Sequence, residues 1–265
     1  MHLYFLHIPK TAGTSLDILF KLQYSKKDRH PWDNKDFPKL QNQYRENILQ
    51  PQEFKVLKGH YKYGIHKYFS KTEDYKYLTI LRDPVSRVKS HIRQYLRMPN
   101  SFIYKEYEKH KDLHKIIDEN RIYGFSNLQT CWIAGENYVE NSEMEEVYNK
   151  ALSNIEKEFF YVGVVELFNE SLYQIYKKIN WKYRPYYSSL NKSSKEEIDE
   201  IKFDSRTIKL IEDLNFYDIK LYNKFRDKVV EDHFNQDKKE FENYIRRLGY
   251  FQKLHKGYLQ IKNIL

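Results

Sequence analysis

The sequence is poor in cysteine. Its 265 residues include one cysteine, Cys131, so no disulfide can form within the chain. The apolar neighbours Trp132 and Ile133 indicate that Cys131 is a small buried hydrophobic residue rather than a nucleophile. A chain without disulfides is typical of a reducing compartment, and we therefore expect a cytoplasmic protein.

Long hydrophobic runs are also missing. No apolar stretch approaches the roughly 20 residues that span a bilayer, so we expect no transmembrane segment. Pro9 and Lys10 interrupt the first apolar run, at residues 3–8, which argues against a signal peptide. Aromatic residues make up 17% of the chain, too many for a disordered protein, and so we expect a folded one.

The charge is unbalanced, with a formal net value of +9 that favours an anionic partner. Nucleic acid, an acidic glycan, an anionic nucleotide and a membrane surface all meet that condition, and the charge alone does not choose between them. The chain has no recognised nucleic-acid motif, so we expect no nucleic-acid partner. It also has neither a His/Cys cluster nor a His-Glu-x-x-His pattern, so we expect no metal.

Short apolar segments alternate with segments of helical periodicity. Four of them predict buried strands, at residues 3–8, 54–59, 77–82 and 159–165. Helices are expected at 85–98, through most of 102–155, around 172–179, and in the amphipathic stretch 207–230. This alternation predicts an α/β fold, with a P-loop-like parallel sheet flanked by helices. We expect one domain at residues 1–230 and a basic, mainly helical C-terminal extension at 231–265.

The first predicted strand runs into a turn of small residues, His-Ile-Pro-Lys-Thr-Ala-Gly-Thr-Ser at residues 7–15. The helix that follows offers unpaired N–H groups and the positive end of its dipole to an anion. Gly13 lets the backbone approach closely, and Lys10 adds a charge where a leaving phosphate would become negative. Further hydrogen bonds are expected from the hydroxyls of Thr11, Thr14 and Ser15.

A second segment, Arg-Asp-Pro-Val-Ser-Arg-Val-Lys-Ser, joins the third predicted strand to a helix. Arg82 stands at the strand end, and Ser90 lies about two helical turns into the helix. A guanidinium and a hydroxyl so placed can hold one phosphate from two sides.

These two segments resemble motifs of the sulfotransferase family that includes the heparan sulfate 2-O- and 6-O-sulfotransferases and many bacterial relatives. Residues 7–15 are similar to its 5′-phosphosulfate loop, with Ala12 where many members have glycine. The segment from Arg82 to Ser90 is similar to its 3′-phosphate motif. The resemblance implies that the donor is PAPS (3′-phosphoadenosine 5′-phosphosulfate) and the product PAP. The implied donor-binding residues are Lys10, Thr11, Ala12, Gly13, Thr14, Ser15, Arg82 and Ser90.

The same resemblance implies the catalytic base. Related enzymes carry it in a Gly-His dipeptide between the two motifs, and Gly59-His60 matches that dipeptide. Histidine suits this role because its pKa lies near neutral pH. His66 is the competing candidate, whereas His30 and His91 are expected at the surface.

Weaker similarity extends to about residue 230. In related enzymes a loop folds over the nucleotide, and residues 188–194 fall at the corresponding place. Asn191, Lys192 and Ser193 are therefore further candidates for PAPS contacts.

The sequence thus predicts a sulfotransferase that moves the sulfuryl group of PAPS to a hydroxyl, with His60 as base and Lys10 assisting the leaving phosphate. The resemblance favours a carbohydrate acceptor, while peptide tyrosine and small alcohols stay open, as does the oligomeric state. Two alternatives remain. One is a P-loop-type nucleotide or sugar kinase, although the lysine here precedes the glycine, unlike in G-x-x-x-x-G-K-[ST]. The other is a non-catalytic module that binds an acidic glycan.

Overall fold

Four parallel strands form the central sheet. They are β1 (His2–Leu6), β2 (Val56–Gly59), β3 (Tyr75–Leu81) and β4 (Phe159–Val164), in the order β2-β1-β3-β4. The computed structural model describes residues 2–30, 54–69, 74–120, 124–137, 141–187 and 201–262. Every predicted strand is present to within two residues at each end, and the predicted parallel sheet is confirmed.

Helices flank the sheet. In chain order they are α1 (Gly13–Gln23), α2 (His66–Phe69), α3 (Pro84–Leu96), α4 (Phe102–His110), α5 (Leu113–Asn120), α6 (Leu128–Ala134), α7 (Met144–Glu158), α8 (Phe168–Ile179), α9 (Ser205–Leu214), α10 (Phe216–Phe234) and α11 (Lys238–Lys262). Within the described ranges, none of these helices is both long and apolar enough to cross a membrane.

The strands consist mainly of buried apolar residues, as expected for a parallel sheet covered on both faces. Tyr4, Phe5 and Leu6 of β1 and Leu78 of β3 are fully buried. They belong to one continuous core that also takes in residues of α1, α6, α7 and α10. The helices therefore fix the sheet, and with it the positions of the loops that leave the strand ends.

The strand register brings three of those loops to one edge. Leu6, the last residue of β1, pairs with Gly59, the last residue of β2, and with Thr79 near the end of β3. Parallel strands place their carboxyl ends on the same side of a sheet, where ligands bind in folds of this class. The segments predicted to carry the chemistry follow these three ends directly.

Helix α3 begins where the sequence predicted. Asp83 accepts a hydrogen bond from the backbone N–H of Ser86 at 2.8 Å, and Pro84 occupies the first helical position. A side-chain cap followed by proline is a favoured start for a helix. The strand that ends before Arg82 is thus joined to α3 by a short, rigid turn.

The C-terminal region differs from the predicted stretch 207–230. Two helices, α9 and α10, replace it, and the chain turns at Asn215, whose buried carboxamide donates to the carbonyls of Ile211 and Phe125. Helix α10 runs on to Phe234, so the predicted boundary between residues 230 and 231 lies inside it. The division into a domain and an extension therefore stays a prediction.

The expectation that His30 and His91 lie at the surface is wrong. His30 is buried and packs edge-on against Phe54, with ring centroids 5.2 Å apart. His91 is half-buried and stacks on Tyr95. Burial lowers the pKa of each ring to about 4, so both are neutral near pH 7. Both rings pack against aromatic neighbours: Phe54 is distant in sequence from His30, and Tyr95 lies one helical turn after His91.

Candidate functional site

The loops after β1, β2 and β3 touch one another. The Nδ1 atom of His60, after β2, lies 2.7 Å from the carbonyl oxygen of His7, after β1. One terminal guanidinium nitrogen of Arg82, after β3, donates to the carbonyl of Lys10 at 3.0 Å. Residues 7–15, the anion loop, therefore lie between His60 and Arg82, which the sequence predicted to act with this loop.

The anion loop owes its tight turn to two left-handed residues. Lys10 has φ of 73° and Ala12 has φ of 61°. An L-residue pays roughly 1–2 kcal/mol in this region, and glycine avoids that cost, which accounts for the glycine common at the position of Ala12 in the resembled motif. The fully buried Thr11 closes the turn by donating its hydroxyl to the Ile8 carbonyl at 2.8 Å.

Helix α1 starts directly after this turn, at Gly13, and none of the described side chains caps its N-terminus. Its first N–H groups are therefore available to an anion. Ser15 is half-buried in the first turn of the helix, and the side chain of Thr14 lies outside the described part of the chain.

Positive charge is concentrated beside this helix end. Lys10 is half-buried and donates its ammonium to the side-chain oxygen of Gln94, at 3.0 Å. Burial lowers the pKa of Lys10, and the charges of Arg82 and Arg97 lower it further. A bound anion would relieve this repulsion, so the cluster favours a negatively charged ligand.

The guanidinium of Arg82 is partly satisfied within the protein. Besides its bond to the Lys10 carbonyl, it retains a buried Nε–H that has no hydrogen-bond partner among the described residues. Burial is the main cause that lowers the pKa of this guanidinium. A buried donor without a partner is costly, and an oxyanion at this point would satisfy it. Ser90, predicted to share the phosphate, is half-buried on α3.

Gln129 is a site residue that the sequence did not single out. Its buried carboxamide accepts from the backbone N–H of Arg82 and donates to the carbonyl of Arg82, both at 2.9 Å. The side chain of Gln129 thus pairs with both backbone groups of Arg82, as a neighbouring strand would. The only signal for it in the sequence was the weaker family similarity that extends to about residue 230.

Gln129 is in turn anchored by a reciprocal cap between α6 and α10. The carboxylate of Asp218 accepts from the N–H groups of Gln129 and Thr130, at 3.1 and 2.7 Å. The side-chain oxygen of Asn127 accepts from the N–H groups of Tyr217 and Asp218, at 3.0 and 3.1 Å. Each helix thus caps the other, and Arg82 is attached to the core through them.

Replacement of Gln129 with methionine tests this attachment. The change keeps the volume but leaves two backbone groups of Arg82 without partners. We expect it to lower the free energy of unfolding by about 1–3 kcal/mol, measured by urea denaturation. The half-buried Gln252, which donates to the backbone carbonyl of Tyr187 at 3.2 Å, offers a matched control in Gln252→Met. Equal stability of the two variants would contradict the role of Gln129.

His60 has the geometry of a base. A carbonyl oxygen only accepts, so the bond to His7 assigns the proton to Nδ1 and leaves the lone pair on Nε2. Burial is the largest cause that lowers the pKa of His60, and the charge of Lys58 lowers it further, against the opposing effect of the His7 carbonyl. The ring is therefore neutral near pH 7 and can accept a proton at Nε2.

His66 occupies a different environment. Its Nδ1 lies 2.8 Å from the hydroxyl of Tyr77 and its Nε2 lies 3.0 Å from that of Tyr75. The ring is buried, and burial lowers its pKa to about 4. Both nitrogens are engaged in the core, which favours His60 over His66 as the base.

Other predicted features have separate outcomes. Cys131 is buried, and its burial raises the pKa of the thiol to about 12, which confirms the interpretation as a small hydrophobic residue. Asn191, Lys192 and Ser193 lie outside the described residues. Across the part of the chain that is described, no group of three or more His, Cys, Asp or Glu side chains could hold a metal ion.

The sequence model described as the sulfotransferase family matches residues 1–225, which covers most of the chain and every motif named above. No curated protein sequence matches the chain.

Proposed function

Because the chain belongs to the sulfotransferase family, we propose that it transfers the sulfuryl group of PAPS to a hydroxyl group of a carbohydrate. The observation that carries the proposal is the contact of His60 with the anion loop. That contact assigns the lone pair to Nε2 and sets a neutral base beside the end of a helix that attracts anions.

The donor would lie across the two loops that Arg82 connects. The N–H groups at the start of α1 would hold the 5′ phosphosulfate, with Lys10 beside the bridging oxygen. Arg82 and Ser90 would hold the 3′-phosphate. The buried Nε–H of Arg82 supports this assignment because no described residue accepts from it, and an oxyanion of the donor would do so.

The reaction would be an in-line displacement at sulfur. The acceptor oxygen forms a bond to sulfur as the bond from sulfur to the 5′-phosphate oxygen breaks. The acceptor proton passes to Nε2 of His60, and PAP leaves with the electron pair. Lys10 and the N–H groups of the loop stabilise the charge that develops on the departing phosphate.

The charge of the protein supports a carbohydrate that is itself acidic. The net value of +9 would attract such a chain electrostatically. Family membership supports transfer to a hydroxyl in general, and the carbohydrate is our choice among the acceptors of that class.

Ligand binding separates this proposal from a kinase. PAP is expected to raise the melting temperature in a dose-dependent way, because a ligand at 100 times its Kd adds about 2.7 kcal/mol to the stability of the folded state. ATP with Mg²⁺ is expected to have little effect at the same concentration. A larger shift with ATP and Mg²⁺ than with PAP would overturn the donor assignment.

Transfer of labelled sulfate from PAPS then tests the acceptor. We expect product with acidic glycans and none with tyrosine peptides or simple alcohols. Labelling of the peptides or alcohols instead would overturn the carbohydrate and leave the donor intact. Glycan binding without any transfer would indicate a binding module and overturn the enzymatic proposal.

A further inference from the structure

The side chain of His7 lies between the proposed base and the start of α1. Its ring stacks on that of His60, with centroids 4.3 Å apart and planes 26° apart. The ring is 9% exposed, and its other neighbours include Phe5, whose ring lies 5.8 Å away. The two histidines therefore form one stacked pair at the carboxyl edge of the sheet.

The Cε1–Nε2 edge of the His7 ring meets Gly13. A Cβ atom built on Gly13 would lie 1.9 Å from Cε1 and 2.0 Å from Nε2 of His7. Real Cβ atoms do not approach other atoms so closely, so any side chain at position 13 would displace the ring. Glycine at position 13 therefore allows the His7 ring to approach the backbone closely. The sequence did not show this contact.

The electrostatic surroundings keep His7 uncharged. Burial is the main cause that lowers its pKa well below the ordinary value, and the charges of His60 and Lys58 act in the same direction. Lys58 is itself paired with Asp17 at 3.3 Å, and His91 is a further titratable ring that interacts with His60. A neutral, flat ring thus packs behind the base.

His7 also carries a cost that a carbon ring would avoid. Its Nε2 is buried and has no hydrogen-bond partner among the described residues. A polar atom so placed typically costs about 1–3 kcal/mol. Stability alone therefore does not account for this ring, and its contacts point to the base and the anion loop.

We propose that the ring of His7 is a positioning residue for the proposed base. It contacts both His60 and Gly13, at the start of α1, and it excludes water from one face of His60. The distance between the donor loop and the base is thereby set by a single rigid spacer. This inference rests on the proposed function, because it assigns His7 a task only if His60 is the base.

The first test compares His7→Ala with His7→Phe. His7→Ala is expected to lower kcat by up to about 100-fold, since a misplacement of about 1 Å can cost that much, while the Kd for PAP changes little. The acid limb of the pH–rate profile should move to higher pH, because water beside His60 weakens the burial that lowers its pKa. His7→Phe, which restores a flat ring, is expected to recover most of kcat.

A second test uses the contact with Gly13. Gly13→Ala alone should lower kcat, because its methyl group displaces the His7 ring. In a His7→Ala background the same change meets no ring and should cost much less. This loss of additivity is the signature of two residues that act through one contact.

The outcomes distinguish the two proposals. Activity in His60→Ala would overturn the base itself. Loss of activity in His60→Ala together with unchanged kcat and pH profile in His7→Ala would overturn only the role of His7. A fall in PAP affinity as large as the fall in kcat would also overturn it, since the ring would then serve the donor loop alone. If His7→Ala does not fold, His7→Phe and His7→Asn decide, and equal kcat in those two would overturn the inference.

Discussion

Replacement of His60 with alanine is expected to lower the rate of sulfate transfer by about 10²–10⁴-fold, the range that a positioned base contributes. The bond from Nδ1 to the His7 carbonyl would be lost together with the lone pair on Nε2. PAP binding should survive, because the helix end, Lys10 and Arg82 remain. Single-turnover transfer of labelled sulfate gives the rate, and calorimetry with PAP gives the affinity.

His66→Gln is the matched control for this experiment. Glutamine can donate and accept, so it can keep contact with the hydroxyls of Tyr75 and Tyr77 while removing the ring. The control should retain the rate of the unaltered protein. A large loss in His66→Gln with normal transfer in His60→Ala would exchange the roles of the two histidines.

The pH dependence of sulfate transfer also tests the assignment of His60 as the base. The neutral form of His60 is the active one, and burial lowers its pKa from the ordinary 6.5. The midpoint of the decline in rate at acid pH should therefore lie below pH 6.5. A decline centred above pH 6.5 would show that the titrating base is not the buried ring described for His60.

Replacement of Arg82 with alanine is expected to weaken PAP binding by about 10- to 100-fold. Hydrogen bonds to a charged group contribute about 1.5–3 kcal/mol each, and every 1.4 kcal/mol is a factor of ten. The guanidinium is the proposed partner of the 3′-phosphate, so AMP, which lacks that group, should lose less affinity than PAP. Some loss with AMP is expected because Arg82 also supports the carbonyl of Lys10.

Two variants serve as controls for Arg82. Arg82→Lys keeps the charge but not the planar fork, so its affinity for PAP should lie between those of the unaltered protein and Arg82→Ala. Arg226→Ala removes an exposed guanidinium that pairs with Asp227, and it should bind PAP normally. Equal losses for PAP and AMP in Arg82→Ala would contradict a contact with the 3′-phosphate.

The fold could be predicted where local patterns are strong. Short, mainly apolar runs such as residues 3–8 are typical of strands in a sheet covered on both faces, and their alternation with helices predicted the parallel sheet. Asp83-Pro84 predicted the start of α3 because capping is a local interaction. The break at Asn215 could not be predicted, since it depends on a bond to Phe125 that is remote in sequence.

The site shows the same division. The order of Lys10, His60 and Arg82 at three strand ends followed from the sequence, because each residue is adjacent to its own strand. Tertiary structure decided that His66 is engaged with two tyrosines and that His30 is buried, since their partners come from other segments. A histidine's neighbours, and not its sequence position, set its pKa.

The amino-acid sequence by itself determined the alternation of strands and helices, the small-residue turn before α1 and the family to which the chain belongs. Tertiary structure alone decided the strand order β2-β1-β3-β4, the hydrogen bonding of Gln129 to Arg82, and the contacts of His7 with His60 and Gly13. The physical reason is range. Periodicity and capping act over a few residues, whereas register, burial and ring stacking depend on which distant segments the packed core brings together.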